Sequence, residues 1–247
     1  QGQSSRKKNL NTEGRSIILE RAYYKTNGEK TWDMIYNRDF KEIIKDLDKE
    51  NTLIITDPPY NVNWKYDTYK DNLNEEDYLK LFKHFKGFKL VVIHYIEDII
   101  KFIVPTMGVP TKVVQWVYNS NMGKQHRSIA FFNCKPDFNK VTQKPKNPDD
   151  IRVNSEVKLY DWWNINLVKN VSKEKENYSN QIPEKVLGNI IKTTANNETI
   201  FDPFMGSGST LAVASKLGFK YMGCDISEKA FAITKERLSK IENNLFR

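Results

Sequence analysis

The tetrapeptide Asp57-Pro58-Pro59-Tyr60 follows an apolar run, Leu53-Ile54-Ile55-Thr56, and puts three kinds of chemistry into four residues. A carboxylate accepts hydrogen bonds, two prolines fix φ and leave carbonyls that no helix uses, and a phenol ring offers a flat face. A planar base with an exocyclic amino group suits that set. Asp57 and the Pro58 carbonyl would accept its two N–H bonds, and Tyr60 would stack on its ring. The preceding run has the β-branched, all-apolar character of a strand buried on both faces of a parallel sheet, and the prolines stop it abruptly. Asp57 is therefore expected at a solvent-facing carboxyl end, the edge at which open α/β sheets bind ligands. Taken alone, the tetrapeptide reads equally well as a strand and a tight turn.

A second cluster lies far along the chain. A short strand at 199–201 runs into Asp202-Pro203-Phe204-Met205-Gly206-Ser207-Gly208, then a helix, a strand at 220–224 and Asp225. The glycines let backbone approach a ligand, and the helix N-terminus offers N–H groups to a carboxylate. Asp225, 19 positions after Gly206, stands where an acid accepts from ribose hydroxyls. The loop lacks the third glycine of a dinucleotide site and the lysine of a Walker loop, which disfavours NAD and ATP. Asp202 would pair with an ammonium group, so a nucleoside carrying an amino acid fits, and S-adenosylmethionine has both parts. No metal is expected, because neither Cys134 and Cys224 nor His84, His94 and His126 show ligand spacing.

Positioning these residues needs an alternating strand and helix frame. A strand at 34–36 leads to Asp39 and a helix with Phe40, Ile43, Ile44 and Leu47 at helical spacing. Asn74 caps a helix whose first turn holds Glu75, Glu76 and Asp77, with Leu79, Phe82 and Phe85 as its buried stripe. Strands at 89–94, 112–118 and 127–133 and a helix at 97–104 follow, the last two strands forming a hairpin-like pair. Pro183 fits the first position of a helix that buries Val186, Leu187, Ile190 and Ile191. Ser227 caps a final helix.

The chain has 247 residues and is 39% apolar, enough for one domain of ordinary enzyme size and too much for disorder. No apolar stretch reaches the length of a membrane span, there is no signal-peptide pattern, and the cysteines read as small core residues of a reduced, cytoplasmic chain. Residues 1–15 read as a flexible basic arm with a trimmed start, and 16–247 as a single domain. The net charge is +8. Residues 1–30 carry 7 basic and 3 acidic side chains and residues 119–178 carry 11 and 7, so these two segments hold the whole excess. Basic segments beside a neutral core suit a phosphate-binding surface. Residues 135–178 lose periodicity and read as a long functional insertion, with Trp162 and Trp163 packing it onto the body.

Asp57-Pro58-Pro59-Tyr60 together with Asp202-Pro203-Phe204-Met205-Gly206-Ser207-Gly208 resembles the SAM-dependent DNA amino-methyltransferases. The amine-acceptor motif comes first, as in the permuted beta group of that family. The likeness extends over about residues 34–240 and takes in Asn37-Arg38-Asp39, Leu73–79 and Gln181-Ile182-Pro183-Glu184, where Ile182 replaces the usual lysine. It implies a doubly wound, mostly parallel seven-stranded sheet with one antiparallel strand, and a target-recognition insertion at about 119–178. It also implies a site-specific adenine-N6 methyltransferase that extrudes its base. Asp57, Pro58, Pro59 and Tyr60 would be catalytic. Asp39, Asp57, Gln181, Pro183, Asp202, Pro203, Phe204, Gly206, Ser207, Gly208 and Asp225 would hold the cofactor. Asn61, Trp64, Lys124, His126, Arg127, Lys140, Lys144 and Lys146 would meet double-stranded DNA. The resemblance allows a homodimer and a cognate restriction endonuclease as partners. Cytosine-N4 transfer, where the first motif residue is more often Ser, stays open, as do a silent DNA-binding relative and an RNA- or protein-modifying one.

Overall fold

The computed structural model describes residues 21–24, 30–120, 123–145, 147, 149, 151–152 and 154–245, with side chains from residue 34 to residue 241. The arm expected at 1–15 and Lys146 lie outside the described residues.

In chain order the elements are β1 (Arg21–Tyr24), β2 (Lys30–Tyr36), α1 (Phe40–Ile43) continued by a 3-10 turn, β3 (Thr52–Thr56), α2 (Glu75–Lys83) and β4 (Lys89–His94). Then come α3 (Ile96–Asp98), a π-helical stretch (Ile99–Ile103), α4 (Val104–Met107), β5 (Lys112–Val117) and β6 (His126–Phe132). A small ribbon of β7 (Thr142–Gln143) and β8 (Val157–Lys158) precedes β9 (Trp162–Asn164), α5 (Glu184–Thr194), β10 (Thr199–Asp202), α6 (Ser209–Lys216), β11 (Tyr221–Cys224) and α7 (Glu228–Leu245). The strands of the main sheet lie in the order β1-β2-β11-β10-β3-β4-β6-β5-β9. The seven from β2 to β5 are parallel except β6, which runs against both β4 and β5. That is the expected sheet. Two further strands extend it to nine, β1 antiparallel on one edge and β9 parallel on the other.

Burial explains the order. Every residue of β3 is buried, as an all-apolar central strand requires. One face is covered by α5, α6 and α7 through Val186, Ile190, Leu211 and Leu238, the other by α1 and α2 through Phe40, Ile44, Tyr78 and Phe82. Asn74 caps α2, its side chain accepting from Asp77 N at 2.9 Å. The buried stripe of α2 is Tyr78, Leu81 and Phe82, with Leu79 only half-buried. Pro183 is the N-cap of α5, one place before the expected first helical position.

The segment 119–178 is not an insertion that the core could lose. It contains β6, two places in from the β9 edge, and β9 itself, whose residues 162–164 pair with 115–117 of β5. Trp163 faces Trp116 across that pair and is 2% exposed, while its neighbour Trp162 is 42% exposed. The stretch that loses periodicity, 135–178, is thus partly sheet edge. Trp163→Ala is accordingly expected to cost about 3–5 kcal/mol, the range for emptying a large core side chain. Urea denaturation should show it, and an unchanged midpoint would mean that β9 is a dispensable appendage.

Candidate active site

The sheet reverses its winding between β3 and β10, since β4 lies on one side of that pair and β11 on the other. Ligands bind at the carboxyl ends of strands flanking such a switch point. Asp57 follows β3 and Asp202 ends β10, and the register Phe201↔Ile54 sets Asp202 beside Ile55, two residues before Asp57, at the same carboxyl edge. The two motifs, about 145 positions apart by subtraction, thus meet in one cleft. Asp39, Asp57, Gln181, Asp202, Pro203, Phe204, Gly206, Ser207 and Asp225 all line it, with Tyr66, Tyr69 and Tyr178, and the cleft spans roughly 1130 Å³ with the open solvent at its mouth included. Pro58, Tyr60, Pro183 and Gly208 do not line it.

The cleft is acidic in a basic protein. Asp39, Asp57, Asp67, Asp202 and Asp225 face it, against Arg38 and Lys41. Burial pushes the Asp202 carboxyl up to about 7, with the negative charges of Asp57 and Asp225 adding to the shift and bonds from Thr210 and the Phe204 N–H opposing it. Burial likewise raises Asp225 and Asp57 above the usual carboxylate range. Several carboxylates that resist ionisation together make a site for a cation.

The glycine loop is shaped by these acids. Asp225 accepts from Gly206 N at 3.0 Å and Ser227 N at 2.9 Å, and Asp202 from Phe204 N at 3.1 Å. Gly208 caps α6 at φ 71°, where a Cβ would lie 2.6 Å from Thr234 Cγ2, and Gly206 at φ 49° passes beneath the Tyr178 ring. Backbone this close to the cleft needs both the left-handed conformation and the missing side chain. From below, the buried Arg237 donates to Ser207 O, Ser209 Oγ and Glu184 Oε1 at 3.1, 2.9 and 2.9 Å, a brace with no sequence signal.

The Asp57–Tyr60 turn is held as firmly. Burial holds His94 down to about 3, so its ring is neutral. The Tyr95 N–H donates to Nδ1 at 2.8 Å, which leaves the proton on Nε2, 2.8 Å from the Tyr78 hydroxyl. Tyr78 in turn donates to the Pro59 carbonyl at 2.7 Å. With the Pro59 oxygen committed, the Pro58 carbonyl is the acceptor left to the motif. Asp98, 3.3 Å from Nδ1, therefore faces an uncharged ring and forms no ion pair with it. Asp71, buried and absent from the expected site, accepts from Asn61 N, Val62 N and Trp64 N at 2.8, 3.0 and 3.0 Å and shapes the loop after the motif.

Several expected roles change. Asp57 is not solvent-facing, for only 19% of its side chain is exposed. Gln181 spends its amide on Glu174 O and Glu176 N, at 2.6 and 2.9 Å, and so shapes the loop carrying Tyr178. Asn61, expected on DNA, spends both ends of its amide on the Leu73 backbone. Lys140 bonds Asn196 at 2.8 Å, just before β10 begins and hence at the opposite edge of the sheet from Asp57. Lys144 is exposed beyond the β7 end of the ribbon. Trp64, 46% exposed, Lys124 over the Tyr95 ring at 3.9 Å and exposed His126 remain near the cleft's edge. Arg127 turns inward instead, at 3.6 Å from Asp57. Charge counting locates basic segments but not the sheet edge they flank.

Among the described residues no group of three or more His, Cys, Asp or Glu is placed to hold a metal ion, and no helix is long and apolar enough to cross a membrane. A profile of the DNA methylase family matches residues 84–236. The Type II methyltransferase M.HpaI of Haemophilus parainfluenzae is 29% identical over 224 residues, 79% of this chain and 70% of that protein. The crystal structure of the M1.HpyAVI–SAM complex superposes with a TM-score of 0.57 at 24% identity, over 83% of this chain and 98% of that one. PvuII DNA methyltransferase, described as cytosine-N4-specific, gives 0.63 at 16% identity over 85% and 90%. The profile covers well over half of the chain, including the glycine loop and Asp225. This protein belongs to the DNA methylase family.

Proposed function

We propose that the chain transfers the methyl group of S-adenosylmethionine to the N6 amino group of adenine in double-stranded DNA, at a specific sequence and after the base is extruded. The observation that carries this reading is the meeting of Asp57 and Pro59 of the motif turn with the Asp202–Asp225 loop in one acid-lined cleft. The donor set fits a cation-bearing nucleoside: Asp202 for the ammonium group, Asp225 for the ribose, Gly206 and Ser207 for close backbone approach. When bound, S-adenosylmethionine supplies an already activated methyl group on a sulfonium.

The protein's own work is to present the amine. Asp57 and the Pro58 carbonyl accept from N6 and localise its lone pair, each charge-assisted bond being worth roughly 1.5–3 kcal/mol. No strong base is required, because the proton can leave after transfer, so positioning and electrostatics carry the reaction. An acid at the first motif position supports adenine over cytosine. The likeness to a cytosine-N4 enzyme is one of fold. The proposal extends to work in the cytoplasm beside a cognate restriction endonuclease, which the type II designation of M.HpaI supports, and to a second copy of the chain as an allowed partner.

Asp57→Ala should abolish labelled methyl incorporation into duplex DNA while unfolding stays cooperative and S-adenosylmethionine still binds. Incorporation at the parental rate would remove Asp57 from the chemistry. A pH dependence follows from Asp202. Below about 7 its carboxyl is protonated and cannot pair with an ammonium group, so binding of the cofactor must drive a proton off. Affinity should therefore rise as pH increases through about 7, then fall once the ligand's own amino group loses its proton near about 8. Titration calorimetry should show the rise in the parent and its absence in Asp202→Asn, whereas a flat profile in the parent would mean that Asp202 meets no cation.

A further inference from the structure

Arg127 sits where the proposed reaction needs something else. Its guanidinium carbon lies 5.1 Å from the Tyr60 ring centroid and 5.5 Å from that of Trp116, and its Nη1 is 3.6 Å from Asp57 Oδ2. The opposite neighbour of Tyr60 is already fixed, since His94 stacks on the ring at 4.2 Å and 18°. Asp57 Oδ1 is taken by the Tyr60 hydroxyl at 2.6 Å. In the free protein, then, the aromatic face and the carboxylate oxygen expected to receive the target base are both occupied by one side chain of β6.

A guanidinium suits that place for a chemical reason. It is planar, carries N–H donors along one edge and lies favourably on an aromatic face. The amino edge of an aminopurine presents the same features. Yet Arg127 fills the place poorly. Its contact with Asp57 exceeds hydrogen-bond distance, and its buried Nε has no hydrogen-bond partner. One donor of this mostly buried side chain, 14% exposed, is thus unmet, at a cost, although Tyr118 bonds the guanidinium and, against the desolvation of burial, the neighbouring Tyr60 and Asp57 favour its charge. Trp116, directly opposite Arg127 in the β5–β6 register, offers a second aromatic surface on which it can remain.

We propose that Arg127 occupies the seat of the target base in the free protein and is exchanged for that base on extrusion, which makes it a selector for amino-bearing bases. This rests on the methyltransferase reading above. A base entering the seat displaces a cation from Asp57 and a flat group from Tyr60, and an exocyclic amino group returns two N–H donors from one nitrogen, one for Asp57 Oδ2 and one for the Pro58 carbonyl, where thymine offers a single ring N–H. A base without one leaves at least one of these two acceptors unmet, with the Tyr60 hydroxyl still on Asp57 Oδ1, so the exchange fails.

The test uses the full chain, S-adenosylhomocysteine and two duplexes that share the sequence methylated by the parent, one with the target adenine and one with an abasic site there. Methyl incorporation by the parent establishes the duplex first, and its absence would defeat the methyltransferase reading rather than this one. The quantity read is the ratio of the abasic to the adenine dissociation constant, which cancels any phosphate contact. Arg127→Met removes the competitor, so the ratio should rise roughly three- to tenfold, the size of a partly desolvated cation–π contact. An unchanged or smaller ratio would overturn the proposal, a fall meaning that Arg127 grips the base or its flanking backbone. Should Arg127→Met melt far below the parent, Arg127→Lys decides. It keeps a charge beside Asp57 but no plane over Tyr60, and a ratio above the parent's supports the exchange while an equal or lower one refutes it.

Discussion

Two carboxylates leave adjacent parallel strands at the same edge of the sheet, and neither is solvated well enough to carry its charge freely. Asp57 continues β3, Asp202 ends β10, and their mutual repulsion adds to the burial that raises Asp202. Most of what surrounds them reads as a response to that constraint. Backbone N–H groups of Phe204 and Gly206 turn toward Asp202 and Asp225. Arg127 and the Tyr60 hydroxyl turn toward Asp57. What is left uncompensated is negative, which a cationic ligand resolves and a neutral or anionic one does not.

The same constraint accounts for the stiffness of the motif turn. An acceptor pair selects an amine only if its oxygens are fixed within tenths of an ångström. Tyr78, neutral His94 and the Tyr95 N–H form a chain of bonds that commits the Pro59 carbonyl and backs the Tyr60 ring. Asp71 does the equivalent in the following loop, its carboxylate holding the N–H groups of Asn61, Val62 and Trp64. None of these residues needs to touch a substrate to govern the chemistry.

Much of this was legible in the sequence, and the parts that were not fail for identifiable reasons. Apolar runs with turn chemistry at their ends marked β3, β4, α2 and the loop before α6, because there local pattern and tertiary role agree. Asp57, Asp202 and Asp225 could be placed on one edge because strand ends of a parallel sheet share it. Arg127 could not, since a charged residue in a strand is ordinarily read as solvent-facing, and only its register opposite Trp116 turns it inward. The motif positions of Gln181 and Asn61 suggest ligand contacts, whereas backbone groups of their own loops claim their amides. Of the tryptophan pair at 162–163, Trp163 is the buried anchor while Trp162 is exposed, and a three-residue parallel strand has too little length to show that alternation in the sequence.

The central claim is that the Asp57–Tyr60 turn presents an amine to an activated methyl group held by the Asp202–Asp225 loop, and that the amine is N6 of adenine. Digesting duplex DNA to nucleosides after incubation with the protein and methyl-labelled S-adenosylmethionine, and separating the products by mass, reads that claim directly. Label in N6-methyladenine, lost with Asp57→Ala, is the expected result. Label in N4-methylcytosine, or none in any nucleoside from a folded protein that binds the cofactor, would contradict it.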